Sequence, residues 1–131
     1  MYKLERGGRV LVAATTAAVM LLSMVVTFQS DAAVASTYTI QWGEGPDLKT
    51  PFKGLKALKA GDKLVFSYTN TDSYNVMEVD RDRYINCNGV GPTVYHTGND
   101  TFELAKGVHY FICGAYDYCL NNNMKVNVTV I

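Results

Sequence analysis

The chain has 131 residues, with 12 basic and 12 acidic side chains and a formal net charge of zero, a size that bounds it to one domain. No run of Lys or Arg marks a face for nucleic acid or for an anionic membrane. No His stands near a Ser in a nucleophile setting, no carboxylate pair can be placed and no glycine-rich phosphate loop occurs, so the chain is not expected to be an enzyme.

The first 35 residues differ from the rest. Lys3, Arg6 and Arg9 precede an apolar run from Val10 to Phe28, and Ala33-Val34-Ala35 follows, the small-x-small pattern of a signal-peptidase site. Residues 1–35 are expected to be a secretory signal cleaved near Ala35. The rival is a retained anchor, because the 19-residue run just reaches the ~20 residues a bilayer needs. Without residues 1–35 the chain keeps 96 residues, with 9 basic and 10 acidic side chains and a net charge of −1. The C-terminus carries no lipid-anchor pattern, so the product is expected to be soluble and extracellular, off the membrane after cleavage, and monomeric.

Taken in order, the segments of 36–131 are short, rich in β-branched and aromatic residues, and bounded by turn residues. Strands are predicted at 37–42 (TYTIQW), 63–68 (KLVFSY), 74–79 (YNVMEV), 101–105 (TFELA), 108–113 (VHYFIC) and 124–131 (MKVNVTVI). In the last, Val126, Val128 and Val130 share one face. Single helical turns are expected at 80–86 and near 55–58. About seven strands at this spacing argue for an all-β Greek-key sandwich, residues 36–131 forming the domain. The lysines at 49, 53, 56 and 59 and the alternating charges of Asp80 to Arg83 read as solvated surface.

Secretion places the three cysteines, Cys87, Cys113 and Cys119, in an oxidising compartment. Three allow one bridge and leave one thiol, and spacing alone does not choose among the pairings. Asn99-Asp100-Thr101 and Asn127-Val128-Thr129 are N-glycosylation sequons. Asn99, in a turn, is the better acceptor. Asn127 sits on the outward face of a strand.

Ala60-Gly61-Asp62, Asn75-Val76, Cys87, Tyr95-His96-Thr97-Gly98 and His109-Tyr110-Phe111-Ile112-Cys113 with Cys119 occur in the order that resembles the phytocyanins, plant cupredoxins of the blue-copper type. The plantacyanin, or basic blue protein, branch is the most similar. The resemblance implies a partly open β-barrel or sandwich of about eight strands and a structural Cys87–Cys119 disulfide, leaving Cys113 as the extra thiol. It also implies a copper site at Tyr74, Cys113, Tyr118 and an axial residue at Asn123 or Met124.

A blue copper centre takes two imidazoles, one thiolate and a long axial bond. Here tyrosines stand where the resemblance places both histidines. Phenol holds its proton to a pKa of ~10 and is a hard oxygen donor. His96 and His109 are the only histidines, and neither is expected to substitute. No metal cofactor is expected, and copper is bound only if the family function is retained. The first reading is therefore a secreted protein that has lost its copper and meets an unidentified partner in the cell wall or extracellular space. An extracellular one-electron copper carrier is the alternative. A thiol enzyme acting through Cys113 is remote, because a buried thiol beneath Tyr74 and Tyr118 is the expected setting.

Overall fold

The alternation read in the sequence builds two three-stranded sheets. The computed structural model describes residues 34–131, so the expected signal lies outside the described residues except for Val34 and Ala35. Among the described residues no helix is long and apolar enough to cross a membrane.

The first sheet has the order β1-β2-β4, with β1 spanning Thr37–Gln41, β2 Lys63–Ser67 and β4 Asn99–Glu103. β1 runs parallel to β2 and β4 antiparallel to it. The second sheet, antiparallel throughout, has the order β3-β5-β6, with β3 spanning Met77–Val79, β5 Gly107–Ile112 and β6 Lys125–Val130. A parallel β1–β2 pair needs a crossover, and the chain between them visits the other sheet. There Leu58 bridges to Val130, its N–H donating to Thr129 O and its carbonyl accepting from Ile131 N–H.

The six strands named from sequence are thus present, with ends shifted by at most three residues. The places of further strands are taken by two isolated bridges, Leu58 with Val130 and Val76 with Tyr95. A helix forms at Arg81–Asn86 (α1), as expected from 80–86. Its cause is visible in the sequence: Asp80 accepts the Arg83 N–H at 2.8 Å as N-cap and pairs with Arg83 Nη1 at 2.6 Å. The helical turn expected near 55–58 is absent. A 3₁₀ turn forms earlier, at Thr50–Phe52, where Pro51 suits a first turn, and Leu58 is drawn into the bridge to β6.

The core lies between the sheets. Ile40, Leu64 and Phe66 face Phe111, Val126 and Val128, and the Phe66 and Phe111 rings lie 5.0 Å apart. Each such fully buried side chain contributes about 1.5–3 kcal/mol.

The Ala-Gly-Asp turn ties the sheet edge to the start of the domain. Asp62 is buried, and its carboxylate accepts the Ser36 N–H and the Lys59 N–H, both at 2.8 Å. These hydrogen bonds, Ser36 first, hold its carboxyl below the ordinary value. A carboxyl whose folded pKa is depressed stabilises the fold above its unfolded pKa of about 3.9 and loses that contribution as pH falls through the folded value. Asp62→Asn should therefore lower stability at neutral pH by about 1–3 kcal/mol and flatten the acid limb of the stability curve, checked by urea unfolding between neutral and acid pH.

Candidate functional site

The site is built where β5 ends and β6 begins. Ile112 pairs with Lys125, so the chain between them must turn back within a short loop. Helix α2, Tyr118–Asn122, folds that loop and stops at Asn123, whose backbone is left-handed (φ +51°). Met124 N–H then donates to Tyr118 O at 3.0 Å, and Cys113 N–H donates to Met124 O at 3.0 Å. These two bonds place Cys113, Tyr118 and Met124 together.

Tyr74 reaches the same place from the turn before β3. Its N–H donates to Asn70 O at 2.9 Å, which explains why the strand predicted from Tyr74 begins only at Met77. Asn75 fixes the junction. Its Oδ1 accepts the Gly114 N–H at 2.7 Å, and its carbonyl accepts Trp42 Nε1–H at 2.8 Å. Gly114 is required at the turn after Cys113, because a Cβ there would collide with Met77 Sδ.

All four resemblance-marked side chains thus belong to one cluster. Cys113 and Met124 are buried in the main core cluster, and Tyr74 and Tyr118 pack half-buried on that cluster, ring on ring at 5.0 Å and nearly perpendicular. Of the two candidate axial positions, Met124 enters the core and Asn123 stays exposed. Cys113 is a free, buried thiol. Burial pushes its pKa up, which outweighs the backbone hydrogen bonds at Asn75 and Ala115. Tyr74 is also pushed up, by burial first, then by Glu44, Tyr118 and Cys113.

This donor set does not fit a type 1 copper ion. It offers no imidazole, and its surroundings favour the protonated forms of the thiol and the Tyr74 phenol. The two histidines differ in their distance from this cluster. His96 is exposed, on the rim of the open cleft that Tyr74 also lines. His109 points to the opposite end of β5, with Nδ1 3.2 Å from Glu78 Oε1 and Nε2 2.7 Å from Ala105 O. Among the described residues no three His, Cys, Asp or Glu side chains group to hold a metal ion.

The sequons differ in ways strand alternation did not show. Asn99 is exposed but is the first residue of β4 rather than part of the turn. Asn127 is half-buried, its Oδ1 accepting from Lys49 Nζ at 3.3 Å and its Nδ2 donating to Tyr84 OH at 3.2 Å. Sequence reasoning also missed Tyr68 and Asp100 beside the site. Tyr68 OH donates to Asp100 Oδ2 at 2.5 Å, and Asp100 Oδ1 accepts Thr97 N–H at 3.2 Å and Thr97 Oγ1–H at 2.6 Å. The only sequence signal for that pair was an acid three residues after a Thr at a Gly turn. Its tyrosine partner lies 32 positions away.

Cys87 ends α1 in a left-handed conformation (φ +51°) and is bonded to Cys119 in α2, with Cα atoms 5.6 Å apart. The bridge fastens the site loop to the far edge of the second sheet.

The sequence matches the Plastocyanin-like domain over residues 48–123. It is 35% identical to a basic blue protein of Arabidopsis thaliana, over 82% of this chain and 83% of that protein. The chain belongs to the phytocyanin family. Uclacyanin-2 of the same plant is 37% identical over 92% of this chain, which spans 57% of that longer protein. Among solved structures, the phytocyanin superimposes on cucumber basic protein, a blue copper protein, with a TM-score of 0.62 and 31% identity, covering 72% of this chain and 99% of that one. Spinach plantacyanin gives a TM-score of 0.62 at 30% identity, with the same coverage. The cupredoxin-like all-β fold and the disulfide expected from the resemblance are thereby established.

The bridge closes a loop of 32 residues, worth about 3–4 kcal/mol in the chain-entropy view. Replacing Cys87 and Cys119 together by Ser should remove about that much of the unfolding free energy, measured in urea, with Cys113 left unchanged.

Proposed function

We propose that this phytocyanin is a secreted protein that has exchanged its type 1 copper site for packed phenols and serves as a binding or structural domain in the cell wall or extracellular space. One observation supports the reading: Tyr74 and Tyr118 are a mutually packed pair of rings 5.0 Å apart on the core cluster that holds Cys113 and Met124. A thiol and a thioether can catch a soft ion, but without two nitrogens they do not build a trigonal blue centre. The buried, proton-retaining thiol also argues against a nucleophilic enzyme, because catalytic cysteines sit in electropositive, partly exposed settings.

The test is metal content and colour. Protein purified from the secreted fraction of a plant expression host should contain less than stoichiometric copper and develop no intense thiolate-to-copper band on addition of Cu(II). A stable blue protein with one copper per chain would overturn the reading in favour of a one-electron carrier. Tyr74→His combined with Tyr118→His should gain copper binding by at least tenfold, because it restores both nitrogen donors beside Cys113.

Secretion also exposes the sequons to glycosylation. Asn99 is open to solvent at a strand end, whereas the Asn127 amide is held by Lys49 and Tyr84. Mass spectrometry of the secreted protein should find glycan on Asn99 and none on Asn127. Glycan on Asn127 would have to attach to the nitrogen that faces the Tyr84 hydroxyl.

A further inference from the structure

The tyrosines of the site do not stop at the pair that fills it. Tyr116, with 80% of its surface exposed, is the most open of the described tyrosines. Its ring centroid is 5.8 Å from that of Tyr118, Tyr118 is 5.0 Å from Tyr74, and Tyr74 is 6.4 Å from Tyr68. Four phenols thus form an unbroken file from solvent to the interior. The file ends on a built proton acceptor. Tyr68 is buried, and its hydroxyl donates to Asp100 Oδ2, while both hydrogen bonds to Oδ1 are also donated to it by Thr97. The Thr97 N–H can only donate and takes Oδ1 as its acceptor, which leaves Oδ2 facing the Tyr68 hydroxyl.

The outer end has its own constraint. Tyr116 holds a left-handed backbone (φ +48°), uncommon for an aromatic residue, and so presents its ring to solvent while keeping it against Tyr118.

We propose that Tyr116, Tyr118, Tyr74 and Tyr68 form a metal-independent relay that carries a one-electron oxidising equivalent from the surface to the Tyr68–Asp100 pair. Phenols are the readily oxidised side chains of such a file, and a phenol loses its electron most easily when its proton has somewhere to go. The oxidant is a diffusible one-electron radical, X•. It takes an electron at Tyr116 and becomes X⁻. Electrons then move outward along the file, each oxidised phenol releasing its hydroxyl proton to solvent and taking one back when the next phenol inward reduces it. At the inner end Tyr68 gives up one electron to the file and its hydroxyl proton to Asp100. The balance is X• plus Tyr68–OH and Asp100 carboxylate giving X⁻, the Tyr68 phenoxyl and the Asp100 carboxylic acid. The hole then rests where it cannot couple to a second molecule, which is what an exposed Tyr116 phenoxyl would otherwise do. The relay needs no copper, so it stands or falls independently of the metal reading above.

The test uses the purified full-length product with chelator present, oxidised by the azide radical in pulse radiolysis and, in parallel, freeze-quenched for electron paramagnetic resonance. The wild type should show a surface phenoxyl that converts to a long-lived buried one, lost in Tyr68→Phe. Tyr118→Phe keeps the ring packing but removes the stepping phenol, so the buried radical should fall at least tenfold and covalent dimers through Tyr116 should rise several-fold. Asp100→Asn should shorten the life of the buried radical without changing the yield of the surface one. Equal buried-radical and dimer yields in wild type and Tyr118→Phe, with both folded by circular dichroism, would overturn the relay. So would a buried radical that survives in Tyr68→Phe.

Discussion

The pair of hydrogen bonds made by Met124, one from its N–H to Tyr118 and one from Cys113 to its carbonyl, is the constraint on which the site depends. Register between β5 and β6 is fixed by the alternation of Val126, Val128 and Val130, since a slip of one residue would turn that face outward. With the register fixed, the loop between the strands has one way to close. The short helix α2 and the left-handed Asn123 supply it, and the cost of that conformation at a non-glycine residue is small for Asn. The Cys87–Cys119 bond then holds the loop from outside. Nothing in this frame requires a metal.

The frame explains how the site keeps its shape. Asn75 accepts the Gly114 N–H and so locks the turn after Cys113 to the turn before β3. Gly114 leaves room for Met77, and Tyr74 and Tyr118 lie across the gap as an edge-to-face pair, an arrangement worth about 0.5–1.5 kcal/mol beyond the area it buries. The phenols therefore contribute to the packing of a place that metal–ligand bonds would otherwise organise.

The strands, the helical turn at 80–86 and the Ala-Gly-Asp turn were legible because each is local: β-branched and aromatic runs in the strands, and turn residues where the chain reverses. The disulfide was legible only through the family pattern, because three cysteines permit several pairings and the chain entropy separates them little. The start of β3 was misplaced because YNVMEV is rich in aromatic and β-branched residues from its first position, while Tyr74 is captured by a turn bond to Asn70 that composition does not encode. Leu58 was read as helical because Leu-Lys-Ala-Leu favours helix, but its partners lie on β6, 72 positions along the chain. Asn127 looked free on an outward strand face. What occupies it, Lys49 and Tyr84, comes from two distant segments. Tyr68 and Asp100 escaped notice for the same reason: a long-range pair of ordinary residues carries no motif.

Burial acts in opposite directions on a metal site and on a metal-free one. A bound cation stabilises a thiolate in a dry pocket, because the attraction is strong where the dielectric is low. Without the cation the same pocket favours the neutral thiol and the neutral phenol, which is the direction found for both Cys113 and Tyr74. Cys113 and Tyr74 thus share the second condition, each held toward its protonated form by burial first. Tyr74 and Tyr118 act as one packed pair, their rings 5.0 Å apart on the core cluster that holds Cys113 and Met124.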